Sequence, residues 1–156
     1  MQISLRRNVD QLAIALRGDV NEASTDQLAD LSGKIEVGRV EFDVSGIELI
    51  NSFGARAWIT FAQGLRRRKV VLTFVNCAVE FIEASNMYVS FVAPSEVASF
   101  QLPLQCMSCG VSKRVVCHRS QVNEGPTLPS QNCERCKTPM KLEVDPETYL
   151  AFLEIA

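Results

Sequence analysis

The chain has 156 residues, 47% hydrophobic and 22% charged, with a formal net charge of −2. That size fits one medium domain or a domain of about 100 residues with a small appendage, and the charge excludes a globally basic binder of nucleic acid or anionic lipid. No apolar run approaches the ~20 residues that span a bilayer. Met1 to Asp19 alternates polar and apolar residues, without the continuous apolar stretch of a signal peptide, so a cytoplasmic protein is expected. Six cysteines in such a setting read as thiols and metal ligands, not disulfides.

Ile3-Ser4-Leu5 and Leu12 to Leu16 alternate with period two around Asn8-Val9-Asp10, the pattern of a β-hairpin. Asn21 to Leu31 is read as a short helix, with Asn21 and Ser24 as cap candidates and Leu28 and Leu31 one turn apart. Val40 to Val44 alternates apolar and acidic residues as the next strand. Ser52 to Arg67 is the clearest helix, because Trp58, Phe61, Ala62 and Leu65 form one stripe at i, i+3, i+4 and i+7.

Val70 to Val75 is almost continuously apolar, which predicts a central strand covered on both faces. Ala78 to Ser85 is a short helix offering Val79, Phe81 and Ile82 for burial. Val97 to Leu104 is the last strand of this region, joined stiffly through Pro103 to the cysteine-bearing segment. Strands alternating with helices from Val40 to Leu104 predict an α/β fold with parallel pairing and right-handed crossovers, and the hairpin makes the sheet mixed.

The last third carries Cys106-Met107-Ser108-Cys109 and Cys133-Glu134-Arg135-Cys136, with residues 110–132 between them. Two C-x2-C steps let four thiolates converge on one tetrahedral ion, so Cys106, Cys109, Cys133 and Cys136 are the candidate ligands of a structural Zn(II). Thioredoxin-type redox chemistry would need a single C-x-x-C opening a helix after a strand. Four cysteines close the coordination sphere, leaving no position for water or substrate. Gly110 suits the tight turn after the first pair, and polar Ser120 to Gln131 reads as the loop between the pairs.

Cys117-His118 could substitute for a knuckle cysteine, but neither has a spaced partner, and both read better as strand residues beside the site. Cys77 reads as a small buried hydrophobe. The segment from Cys106 onward has six Lys/Arg against six Asp/Glu, which weighs against a nucleic-acid-binding ribbon. Arg66-Arg67-Arg68-Lys69 reads first as a solvated helix end, where cations complement the dipole, and second as a docking patch for an acidic partner. Asp145-Pro146-Glu147 starts a terminal helix whose stripe is Tyr149, Phe152, Leu153 and Ala156. A helix of that length must dock on something to persist.

Asn51-Ser52-Phe53-Gly54 marks a strand-to-helix turn. A hydroxyl there faces free N–H groups and the positive end of the dipole, which would stabilise a phosphate. The plain alternative is that Asn51 or Ser52 caps the helix. Together with the order of elements, the Val40–Val44 and Val70–Val75 strands and the amphipathic helix, this turn makes residues 1–102 resemble a STAS domain, the fold of the anti-sigma-factor antagonists. Residues 103–156 resemble a zinc ribbon with a short C-terminal helix.

The resemblance implies a mixed sheet with packed helices and a phospho-acceptor at Ser52, within a partner-binding surface of Asn51, Ser52, Phe53, Gly54 and Arg56. The partner it implies is a protein, typically a Ser/Thr kinase acting as an anti-sigma factor. Two positions depart from the family signature Asp-Ser-Ser/Thr-Gly: its Asp is Asn51 here, and its second hydroxyl residue is Phe53. The family's closing helix is also replaced by the first cysteine pair, so the C-terminal segment is expected to cover that face. No paired carboxylates, triad, phosphate loop or open metal site can be found in the sequence, and a non-enzymatic regulatory or scaffolding module is expected. Two alternatives stand beside it: an accessory subunit of a transport or signalling assembly that needs no phosphorylation, and a nucleic-acid-binding zinc ribbon.

Overall fold

The structure is a computed structural model and describes residues 1–7, 11–36, 38–122, 128 and 130–153. Strands β1 (Gln2–Arg7) and β2 (Leu12–Val20) pair antiparallel, with Leu5 opposite Ile14. The turn expected at Asn8-Val9-Asp10 lies outside the described residues. Helix α1 runs Ser24–Lys34, three residues later than its apolar spacing predicts. The shift has a local cause. Asn21 Oδ1 accepts from the Ala23 amide, and Ser24 Oγ accepts from the Asn21 amide. The two polar side chains therefore build a turn ahead of the helix, and neither caps it.

Strand β3 runs Arg39–Ile50, well past the Val44 end expected from its alternation. It pairs parallel with β2 along its length, with register shifts at Ala15/Arg17 and Gly18/Val20. Gly46 permits the continuation, because a Cβ there would meet the Arg17 side chain at 2.5 Å. Helix α2 (Ser52–Arg67) has the predicted bounds. Strand β4 (Val71–Val75) pairs parallel with β3, giving the mixed sheet order β1-β2-β3-β4.

Helix α3 spans Val79–Met87, and β5 (Ser99–Cys106) comes after a 3-10 turn at Pro94–Glu96. β5 runs beside β4 through isolated parallel bridges at their ends, Phe74 to Val97 just before β5 and Cys77 just after β4 to Phe100. Its ladders belong to a second sheet of order β6-β5-β7, with β6 at Ser112–His118 and β7 at Met140–Leu142. Pro103 sits inside β5. Its carbonyl accepts from Glu143 N just past the end of β7, so the missing N–H falls where that short strand stops and not in the β6 ladder.

Trp58 is the centre of the core. Phe42, Phe61, Phe74, Phe81 and Phe91 have ring centroids 5.0–6.0 Å from it or from one another, several in edge-on geometry. Its buried indole N–H donates to Phe91 O at 3.1 Å, so the largest apolar side chain leaves no orphan donor. Two arginines of the run at 66–69 serve the fold and not solvent. Arg66 forms a two-pronged pair with Glu96 at 2.6 and 2.8 Å, and Arg68 donates to the carbonyls of Ser32 and Ile35 at the end of α1.

The C-terminal segment forms α4 (Pro146–Tyr149) and a 3-10 turn, Leu150–Leu153. Asp145 caps α4 by accepting from Thr148 N at 2.9 Å. The segment docks on α3 and β5. Asn86 Nδ2 donates to the carbonyls of Thr148 and Tyr149, Tyr149 Oη donates to Gln101 O at 2.6 Å, and Phe152 meets Phe100 edge-on at 5.1 Å. Arg114 on β6 adds a bidentate pair with Glu80 on α3. One cluster of buried side chains therefore extends from Leu12 to Phe152. Ala156, the last member of the expected stripe, lies outside the described residues.

Candidate functional site

Two places carry chemistry. The first is the start of α2. Asn51, in extended conformation, is its N-cap, and its Oδ1 accepts from Gly54 N at 2.8 Å. Asn51 N donates to Val20 O, and a Cβ on Gly54 would lie 2.0 Å from that same carbonyl oxygen. Gly54 is therefore demanded by close approach of the helix to the end of β2. Of the two cap candidates Asn51 is the one that caps, and Ser52 is left exposed at the first helical position.

The second amide atom of Asn51, Nδ2, donates to Glu22 Oε2 at 3.0 Å, and this bond holds the Glu22 carboxyl below its usual range. An aspartate at position 51 would set two carboxylates at that spot. The asparagine is thus explained by Glu22, a residue that no local motif singles out. Phe53 is 68% exposed beside Ser52. It forms one end of a groove of about 420 Å³ between α1 and α2, whose walls include Leu28, Arg56 and Phe61. Arg56 lies one turn after Ser52 and is exposed.

The second place is the cysteine quartet. All four Sγ atoms of Cys106, Cys109, Cys133 and Cys136 lie within 4.8 Å of one another. The closest pairs are Cys106–Cys136 at 3.3 Å, Cys109–Cys133 at 3.5 Å and Cys109–Cys136 at 3.7 Å. Those separations far exceed a disulfide bond of about 2.05 Å. A tetrahedral ion with metal–sulfur bonds of about 2.3 Å would set its sulfurs about 3.8 Å apart, so the residues present fit a metal ion.

The two knuckles repeat each other. Gly110 N donates to Cys106 O and Lys137 N to Cys133 O, both at 2.9 Å, while Cys106 N donates to Val111 O and Cys133 N to Thr138 O, again at 2.9 Å. The residue after each second cysteine has positive φ, 72° at Gly110 and 62° at Lys137. Backbone N–H groups from Cys136 and Arg135 lower the Cys133 thiol, and Thr138 holds Cys136 down to about 6. At Cys109 the Val111 N–H also lowers the thiol, but desolvation and three neighbouring sulfurs outweigh it and push Cys109 up to about 12. Thiolates this close would repel one another, and a cation between them would offset that repulsion.

The remaining cysteines stand apart from this cluster. Cys77 and Cys117 are buried, and burial raises both thiols. His118 is exposed on β6 and does not join the quartet. Among the described residues no helix is long and apolar enough to cross a membrane.

No protein-family model matches the chain, and no curated protein matches it. Among solved structures, it is similar to the anti-sigma factor antagonist SpoIIAA in its unphosphorylated form, with a TM-score of 0.40 and 16% sequence identity over 48% of this chain and 73% of that chain. At that level of likeness the geometry of this chain's own residues has to carry the functional reading.

Proposed function

We propose that the protein is a non-enzymatic, cytoplasmic regulatory module, STAS-like over residues 1–102, that binds a protein partner through the start of α2. The ribbon at residues 103–156, in this reading, holds one structural Zn(II) on Cys106, Cys109, Cys133 and Cys136. The observation that carries the docking reading is the exposure of Ser52 beside Phe53, which lines the α1/α2 groove, on a helix start that Gly54 and Asn51 fix against β2. Asn51, Arg56 and the backbone at Gly54 complete the contact surface, and a Ser/Thr kinase acting as anti-sigma factor is the kind of partner the resemblance implies.

Phosphorylation of Ser52 would place about two negative charges at the rim of this surface. The free N–H groups of the first turn would tolerate that charge, so the helix would stay folded while docking weakened. The full-length protein, immobilised and exposed to lysate of its source cell, tests this. Ser52→Ala should capture the same partner as the unsubstituted chain, and Ser52→Asp should lose it.

The Asn51–Glu22 hydrogen bond favours a second reading, docking without phosphorylation, as in an accessory subunit of a transport or signalling assembly. Glu22 already places a carboxylate at the helix start, where a phosphate would meet it. Equal capture by both Ser52 variants, with loss on Phe53→Asp, would select this second reading. Loss on none of the three would remove the α2 surface from consideration.

A further inference from the structure

The four sulfurs of the quartet lie close together, but their surroundings are unequal. Cys106 and Cys133 are buried, Cys109 is half-buried and Cys136 is exposed. Cys136 Sγ lies 3.3 Å from Cys106 Sγ and 3.7 Å from Cys109 Sγ, while Cys109 Sγ lies 3.5 Å from Cys133 Sγ. Each of these contacts joins one knuckle to the other. The cysteine most open to solvent therefore has a buried thiol of the opposite knuckle as its nearest sulfur.

The two knuckles also differ in how firmly they are held. The first lies between β5 and β6, which pair from Ser99 opposite His118 to Gln105 opposite Ser112. Cys106, the last residue of β5, pairs in addition with Met140 on β7. The second knuckle is followed only by the three-residue β7, and Glu134, Arg135, Cys136 and Lys137 at its tip are all exposed. A short ladder and few buried groups make the second knuckle the half that yields. Bringing Cys136 Sγ to the ~2.05 Å of a sulfur–sulfur bond with Cys106 takes a closure of about 1.2 Å (3.3 less 2.05).

We propose, on the reading that the quartet holds a metal ion, that Cys136 is a site of oxidation by peroxides and that Cys106 resolves it into a disulfide between the knuckles. The Cys136 thiolate attacks one peroxide oxygen, the O–O bond breaks and hydroxide leaves. The sulfur has then lost two electrons and is a sulfenic acid. The Cys106 thiolate attacks that sulfur, so the S–S bond forms while the S–O bond breaks. With two protons from solvent, two thiolates and one hydrogen peroxide give one disulfide and two waters. Both sulfurs cease to be ligands, leaving too few donors to retain a bound ion. Cys109 and Cys133 remain as a second close pair, open to the same reaction with a second peroxide. Cys77 and Cys117 do not compete, since both are buried and stand apart from the cluster. Because the new bond runs between the knuckles, the oxidised ribbon keeps its two halves tethered after the metal is lost. Chelation removes the metal without adding that tether.

Titration of the full chain with hydrogen peroxide, followed by fragment-resolved peptide mass spectrometry, tests the proposal. Trypsin cuts after Arg135, between Cys133 and Cys136, so a bond within the second knuckle and a bond across to the first give different peptides. The expected first disulfide is Cys106–Cys136, with one zinc released per peroxide consumed, read with a chromogenic chelator. Dimedone present during the titration should be found on Cys136, and dithiothreitol should restore both thiols and zinc binding. Substoichiometric N-ethylmaleimide should label Cys136 ahead of the other five cysteines, a measurement that needs no substitution. Hydrogen exchange should find β6 and β7 better protected in the oxidised protein than after chelation under reducing conditions. Any first disulfide other than Cys106–Cys136 overturns the proposal, as does a Cys136 alkylated no faster than Cys106 and Cys133. Zinc content before peroxide is added tests the metal reading separately, and the disulfide map decides the oxidation site with or without metal.

Discussion

Gly54→Ala tests whether α2 is seated on the end of β2 as described. The added carbon would lie 2.0 Å from Val20 O, 2.4 Å from the Val20 carbonyl carbon and 2.8 Å from Asn21 N, all backbone atoms with no rotamer to yield. Ordinary contact begins at 3.4 Å, so the helix start must retreat by about 1.4 Å (3.4 less 2.0) for the methyl group to fit. Overpacking of this kind costs about 1–3 kcal/mol. The retreat also stretches the Asn51 N to Val20 O bond and moves the Asn51 cap, each worth about 1 kcal/mol. The expected loss is therefore about 3–5 kcal/mol, a large part of the 5–15 kcal/mol typical of a folded domain. Urea unfolding followed through the fluorescence of Trp58, the one tryptophan, measures it directly. Gly64→Ala is the internal control. It lies on the same helix, and its new Cβ would have as nearest neighbour only the tip of Arg67 at 3.8 Å, so it should stabilise by about 0.5–1 kcal/mol. If Gly54→Ala unfolds within about 0.5 kcal/mol of the unsubstituted protein, the close approach of α2 to Val20 is refuted.

Further outcomes concern the ribbon. The purified protein should contain one zinc per chain by elemental analysis. Exhaustive chelation, or Cys106→Ser, should expose the amides of β6 and β7 to hydrogen exchange while the Trp58 core stays protected, because an apparent ~10–16 kcal/mol of binding energy is then missing from the ribbon. Lys137→Gly should raise the melting temperature of the metal-loaded protein by relieving a positive-φ lysine, worth about 1 kcal/mol. Gly110→Ala should lower it by a similar amount, for conformational reasons alone, since a Cβ there meets nothing within 4 Å.

How much of the molecule is legible in the sequence depends on how local each determinant is. The bounds of α2 are readable because its cap residue Asn51 and its stripe Trp58, Phe61, Ala62 and Leu65 all lie within the segment. The cysteine quartet is readable because the chemistry of a tetrahedral ion dictates ligand spacing within each pair. The length of β3 is not. Residues 45–50 resemble a loop until β2 is known to run beside them, with Arg17 crossing Gly46. The destination of β5 is hidden for the same reason, since its ladder partners, β6 and β7, come later in the chain. Glu22 cannot be found at all from the turn at Ser52, because it reaches Asn51 from a different segment.

One strand joins the aromatic core to the cysteine quartet. β5 starts beside the end of β4, where Val97 and Phe100 bridge to Phe74 and Cys77, and ends at Cys106, the first cysteine of the quartet. Eight residues of one strand, about 26 Å at strand rise, thus link the aromatic core to the cysteine quartet. Tyr149, Asn86 and the Arg114–Glu80 pair then tie the far end of the ribbon back to α3. The start of α2 has a different foundation: Val20, Asn21 and Glu22, at the end of β2, hold it through backbone and cap contacts that involve no ribbon residue. Loss of metal should therefore loosen β6, β7 and the packing of α4 on α3 well before it disturbs the geometry around Ser52. The cluster and the α2 surface share one hydrophobic core, yet each is positioned by its own set of contacts. A bound metal ion would thus stabilise the molecule without acting as a switch on the start of α2.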